Sequence, residues 1–122
     1  QGFCIGAGMQ IAANCDLRVA ADAATFGITA AKLGIGYPVK SIERLLHVLG
    51  PTHVAELFFT GRLFSAVEAE RIGFLNRVVA AAELEASVRE TCATMRSNCR
   101  LLPLLSASSA RNCQPSAGSG RS

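Results

Sequence analysis

Residues 2 to 16, "GFCIGAGMQIAANCD", restrict the chain more than any other stretch. An apolar run leads into two glycines one residue apart and then into apolar positions at helical spacing. A strand, a tight turn and a helix opening on unpaired backbone N–H groups satisfy that order. Such a turn can cradle the pyrophosphate of a dinucleotide, polarise a carbonyl oxygen, or serve only as a turn. The residues further along have to choose.

The chain has 122 residues, half of them hydrophobic and 17% charged, which suits one globular unit with a core of its own. Its apolar stretches are broken well short of the roughly 20 residues that cross a bilayer, so no membrane partner is expected. No secretory signal is expected from its first residues. Residue 1 is Gln, and the apolar run begins at once, which reads as the cut edge of a longer chain.

The net charge is +3, and Arg100, Arg111 and Arg121 account for all of it; up to residue 98 nine basic residues balance nine acids. No basic patch supports a nucleic-acid partner. The five cysteines, Cys4, Cys15, Cys92, Cys99 and Cys113, form no CxxC pair and have no His at ligand spacing. They are expected to be reduced, intracellular and free of metal.

Composition changes after Asn98, where "CRLLPLLSASSARNCQPSAGSGRS" contains no acid and is rich in Ser, Arg, Pro and Gly. The expected division is a partial domain over 1–98 and a low-complexity tail over 99–122, either disordered or the product of a shifted reading frame.

Within the domain, "GFCI", "LRVAA" and "LNRVV" read as strands. "SIERLLHVL" places Ile42, Leu45, Leu46 and Leu49 on one helical face, with Gly50 as its left-handed cap. Pro51 opens a second helix that Gly61 ends. Ser65 and Glu68 have the spacing of a reciprocal capping box, and Gly73 closes that helix. Residues 82 to 97 form a last helix with Leu84, Val88, Cys92 and Met95 along one face.

These pieces together resemble the crotonase superfamily, the enoyl-CoA hydratase and isomerase family. The resemblance is carried by "GAGMQIAANCDLRVAADAATFG", "LGIG", "RL" before "LG", and "ELFFTGRLFSAVEAERIGFLNRVV", over roughly residues 1 to 98. It implies an α/β fold, a spiral of strand-strand-helix repeats of which this chain supplies the later part. It also implies that the turn holds the thioester carbonyl of an acyl-CoA, with the backbone N–H of Ala7 as half of an oxyanion hole and Gly6 and Gly8 keeping the approach open. The second donor belongs to a segment preceding these residues.

The resemblance further implies no permanently bound cofactor, coenzyme A being part of the substrate. It implies a homo-oligomer, trimer or hexamer, and a cytoplasmic location, or a mitochondrial one if a targeting peptide precedes the segment. The dinucleotide alternative requires Gly or Ala where Ile11 stands, and its acidic residue is only loosely matched by Asp22.

Hydratases of this family use two glutamates, one as base and one as acid. Their positions fall on Gln10 and Ala30, with Thr29 where the family has Pro, so neither carboxylate is present. Gln10 can orient a water but cannot usefully accept a proton, and Ala30 can do neither. After Gly34 the family's Gly-rich acyl-pocket loop is replaced by "IGYPVKSIERL". Tyr37 there is a substrate-binding candidate or a packing residue; Lys40 and Glu43 are replacement acid–base candidates or solvated helix-start residues. His47 and His53 read as surface.

Two functions remain: an acyl-CoA enzyme with altered hydratase chemistry, or a non-catalytic crotonase-like protein that binds thioesters or packs in an oligomer. By itself the chain is expected to be inactive and prone to aggregate, with open strand edges and with Leu45, Leu57 and Met95 exposed.

Overall fold

Thr25, Phe26 and Gly27 are a short run of β-forming residues closed by a glycine, and they make the strand on which the rest is assembled. A computed structural model describes residues 1–34 and 36–98. Strand β1 (Phe3–Ile5) is followed by helix α1 (Ala7–Ala13), strands β2 (Val19–Ala21) and β3 (Thr25–Gly27), and helix α2 (Ala30–Leu33). The long α3 (Val39–Thr60) leads to β4 (Leu63–Ser65), α4 (Ala66–Arg71), β5 (Arg77–Val79), a turn of 3₁₀ helix and α5 (Leu84–Asn98). One sheet has the order β1-β3-β4, with β3 parallel to β1 and antiparallel to β4; a second pairs β2 with β5 in parallel. The division expected at residue 98 and the nature of the tail lie outside the described residues.

The chain separates into two units, Gln1–Val88 and the part from Arg89 onward. In the first, Phe26 packs its ring against Phe64 at 5.8 Å and edge-on against Phe74 at 5.6 Å. Met9, Ile28, Leu45, Leu57 and Phe74 are fully buried around them, each contributing about 1.5–3 kcal/mol by leaving water. Leu45 and Leu57 were expected to be exposed. They are buried because β3, α1 and α3 close on one another within these residues. In the second unit the described residues are helical, and Thr94 and Ser97 return their hydroxyls to the carbonyls of Glu90 and Thr94.

Other local expectations are met in part. The segment 17–21 pairs only from Val19, because Arg18 is used as a bracket: its N–H donates to Asn76 Oδ1 at 2.8 Å, and its guanidinium donates to the carbonyls of Cys15 and Phe74. Gly50 breaks the helical run with a positive φ of 77°, as expected, but its ψ of 164° is outside the left-handed helical range; α3 is two helical stretches meeting at this kink, the second opened by Pro51. In the last helix the exposure expected for Met95 is found, and the face it shares with Leu84, Val88 and Cys92 is not buried. Val88 and Met95 are 41% and 46% exposed, while Ser87 is buried and accepts from Arg77 at 3.4 Å.

Half of the capping box forms. Ser65 Oγ accepts the Glu68 N–H at 3.2 Å, but the Glu68 carboxylate turns to Arg62, with bonds of 3.0 and 2.5 Å. Arg62 also holds Glu56 at 2.8 Å, tying the end of α3 to the start of α4. The Arg62 hydrogen bonds hold the Glu68 carboxyl below the usual carboxylate range. A carboxyl whose pKa is depressed by folding contributes stability above its unfolded value, about 4.3, and loses it as pH falls through the lower folded value. Glu68→Gln in the whole protein should therefore lower stability by about 1 kcal/mol or less at neutral pH. Urea midpoints should converge with those of the wild type in acid; a gap independent of pH would contradict this.

Gly27 is fixed by a close approach. A Cβ there would lie 2.5 Å from Leu63 Cδ2 and 3.2 Å from the Arg62 carbonyl oxygen. The leucine tip can swing aside, whereas the carbonyl is held by the β3–β4 register. Gly27→Ala should cost about 1 kcal/mol or more through overpacking, read as a lower urea midpoint in the whole protein; an unchanged midpoint would mean that β4 yields freely.

Candidate active site

The turn after β1 is built by Gly6. Its φ of 56° with ψ of −117° lies where L side chains are rarely found, so glycine is required. Its N–H donates to the Gly27 carbonyl at 2.9 Å, and its carbonyl accepts the first helical bond from Gln10 N–H at 3.1 Å. The N–H groups of Ala7, Gly8 and Met9 then have no acceptor within α1, and no side chain caps them.

Ala7 and Gly8 are exposed, whereas Met9 is fully buried. Ala7 has negative φ, so its Cβ costs the turn nothing, and a Cβ on Gly8 would meet no atom within 4 Å. The first turn carries no acid, which leaves the positive end of the helix dipole uncompensated. Exposed donors of this kind suit an oxygen on which negative charge develops.

The second expected position reaches the same end of the sheet. β1 and β3 run parallel, with Ile5 beside Gly27, so the chain leaving β1 through Gly6 and the chain leaving β3 through Ile28 to Ala30 emerge together. Ligands of parallel sheets bind outside the carboxyl ends of the strands. Gln10 is half-buried in α1, and Ala30, nearly buried, starts α2. No carboxylate stands at either position.

A model of the enoyl-CoA hydratase/isomerase family matches residues 1–112. The chain belongs to that family. The mevalonyl-coenzyme A hydratase of Aspergillus fumigatus is 40% identical over 97 residues, which are 80% of this chain and 36% of that protein. The carnitinyl-CoA dehydratase of Shigella flexneri is 44% identical over 89 residues, 73% of this chain and 34% of its own. A solved enoyl-CoA hydratase/isomerase family protein from Hyphomonas neptunium superimposes with a TM-score of 0.75 at 38% identity, over 79% of this chain and 37% of that one. The chain thus spans little more than a third of the length of the relatives it matches. The shared architecture is the crotonase fold, and the family's substrates are CoA thioesters.

In this enoyl-CoA hydratase/isomerase family chain the remaining candidates are dispersed. Tyr37 sets its ring edge-on against Phe58 at 5.1 Å and 87°, and burial pushes its phenol up. Lys40, Glu43 and His47 are exposed, and the His53 ring lies 3.1 Å from the Leu49 carbonyl. Among the described residues no group of three His, Cys, Asp or Glu could hold a metal ion, and no helix is long and apolar enough to cross a membrane. Sequence reasoning offered no direct sign of two contacts that hold the turn and its helix: the Gly27 carbonyl, which accepts the Gly6 N–H, and Arg44, whose Nε donates to the Ala13 carbonyl at 2.7 Å. The only signal for Arg44 was its place in the "RL" motif.

Proposed function

We propose that the whole protein containing this segment binds acyl-CoA thioesters, placing the thioester oxygen on the Ala7 N–H, and that its hydratase chemistry is altered or lost. The observation that carries this is the uncapped first turn of α1, which presents exposed donors beside the end of β3. Charge on the thioester oxygen grows as the carbonyl becomes enolate-like, so a fixed donor stabilises the transition state more than the ground state. Gly6 and Gly8 leave room for the thioester, Tyr37 is a pocket-wall candidate, and the Gln10 amide can orient a water or a substrate hydroxyl. Coenzyme A enters as part of the substrate, with no permanently bound cofactor. A homo-oligomer, trimer or hexamer, in the cytoplasm or mitochondrion is carried over from the family.

A second reading, a non-catalytic thioester-binding or oligomer-packing protein, is favoured by Gln10 and Ala30 at the glutamate positions. A steady-state assay of the whole protein on several enoyl-CoA and 3-hydroxyacyl-CoA thioesters, beside calorimetric titration with the same ligands, separates the two. Turnover supports the first and saturable binding without turnover the second. Absence of both overturns thioester binding.

A further inference from the structure

The last four carbonyls of a helix have no partner within it, and in α1 these belong to Gln10, Ile11, Ala12 and Ala13. Three are satisfied by the residues that follow at once: Asn14 Nδ2 donates to Gln10, Asn14 N–H to Ile11 and Cys15 N–H to Ala12, at 3.0 to 3.1 Å. The fourth bond is different in kind. Ala13 is fully buried, and its carbonyl accepts from Arg44 Nε at 2.7 Å, 31 residues away on α3.

α1 otherwise leans on α3 through the apolar contacts of Met9 and Ala13 with the core, which are non-directional. A seven-residue helix is about 10 Å long, so its two ends are mechanically one body. A directional bond at its last carbonyl therefore sets the rotation and axial position of the whole helix. The N–H groups at the other end point along that axis.

We infer that Arg44 is a positioning residue: by holding the Ala13 carbonyl it fixes the direction in which the Ala7 N–H meets a thioester oxygen. The inference rests on the thioester-binding function proposed above. The neighbouring ion pair does not carry it, because Asp16 lies 3.9 Å from Arg44 with its side chain fully exposed, where a pair contributes little. The hydrogen bond and the charge can be separated chemically. In glutamine the side-chain nitrogen occupies the position along the chain that Nε occupies in arginine, so Arg44→Gln keeps a donor for Ala13 without the charge. Arg44→Met fills similar space with no donor.

The readout is the infrared carbonyl stretch of crotonyl-CoA labelled with carbon-13 at the thioester carbon, bound to the whole protein; hydrogen bonding to the oxygen lowers that frequency whether or not the ligand reacts. Wild type, Asp16→Asn and Arg44→Gln should show the same downshift, and Arg44→Met, folded by circular dichroism, should lose most of it. A full downshift in Arg44→Met, or loss of it in Arg44→Gln, would overturn the role of Arg44 while leaving thioester binding standing. No downshift in the wild type would overturn both. If Arg44→Met fails to fold, Arg44→Leu replaces it; failure of both would also reject the inference, making the bond a requirement of the fold and not of donor placement.

Discussion

The whole protein should hydrate crotonyl-CoA about 10²- to 10⁴-fold more slowly than a relative that keeps one more of its acid–base carboxylates, because each such participant is worth that much in the transition state. On the proposed reading Gln10 and Ala30 stand at the two glutamate positions, and two participants are missing. The amide of Gln10 donates and accepts hydrogen bonds but does not take up a proton near neutral pH. Ala30 is nearly buried, so a glutamate placed there would be desolvated, with its pKa raised toward the range that suits a general acid. Gln10→Glu with Ala30→Glu should therefore recover part of the rate, more than either change alone. The measurement is steady-state hydration of crotonyl-CoA by the wild type and the three variants. Ordinary turnover by the wild type would show that other groups supply the acid and base.

The second large effect concerns a backbone atom. Ala7→Gly keeps the N–H and should leave thioester chemistry nearly intact, whereas Ala7→Pro removes it and should lower any such activity about 10²- to 10³-fold, the loss seen when one oxyanion donor is deleted elsewhere. Ala7 is the first helical residue, the position at which helices accept proline most readily. The strain falls on Gly6, whose ψ of −117° is outside the extended range preferred before proline. Far-ultraviolet circular dichroism of both variants accompanies the kinetics for that reason. A folded Ala7→Pro protein with full activity would remove Ala7 from the site.

Features held within a few residues were legible in the sequence. The Gly6 turn, the left-handed cap at Gly61 and the hydroxyl of Ser65 on the Glu68 N–H follow from backbone and side-chain groups close together in the chain. Gly73 ends α4 as expected, in a Schellman motif whose bonds run from Gly73 N–H to the Glu70 carbonyl and from Phe74 N–H to that of Ala69. The family resemblance was legible as well, since it rests on the order of such local pieces.

Sequence could not show which apolar face finds a partner. Leu45 and Met95 sit in similar helical patterns, yet the first is fully buried and the second is 46% exposed. Periodicity names a face without naming what covers it. Glu68 had the spacing to complete its own cap, but an arginine at the end of another helix offered a charged partner, and charge-assisted bonds outcompete neutral ones.

The sequence by itself determined the family and the glycine turn that opens α1, because both are written in residues close together in the chain. Tertiary structure alone decided that Gly27 must lack a side chain, that Arg18 closes on Phe74 from 56 residues away, and that Arg44 holds the far end of the helix that begins at Ala7. Each depends on where a distant backbone segment comes to rest, and that is fixed only when the sheet and helices pack.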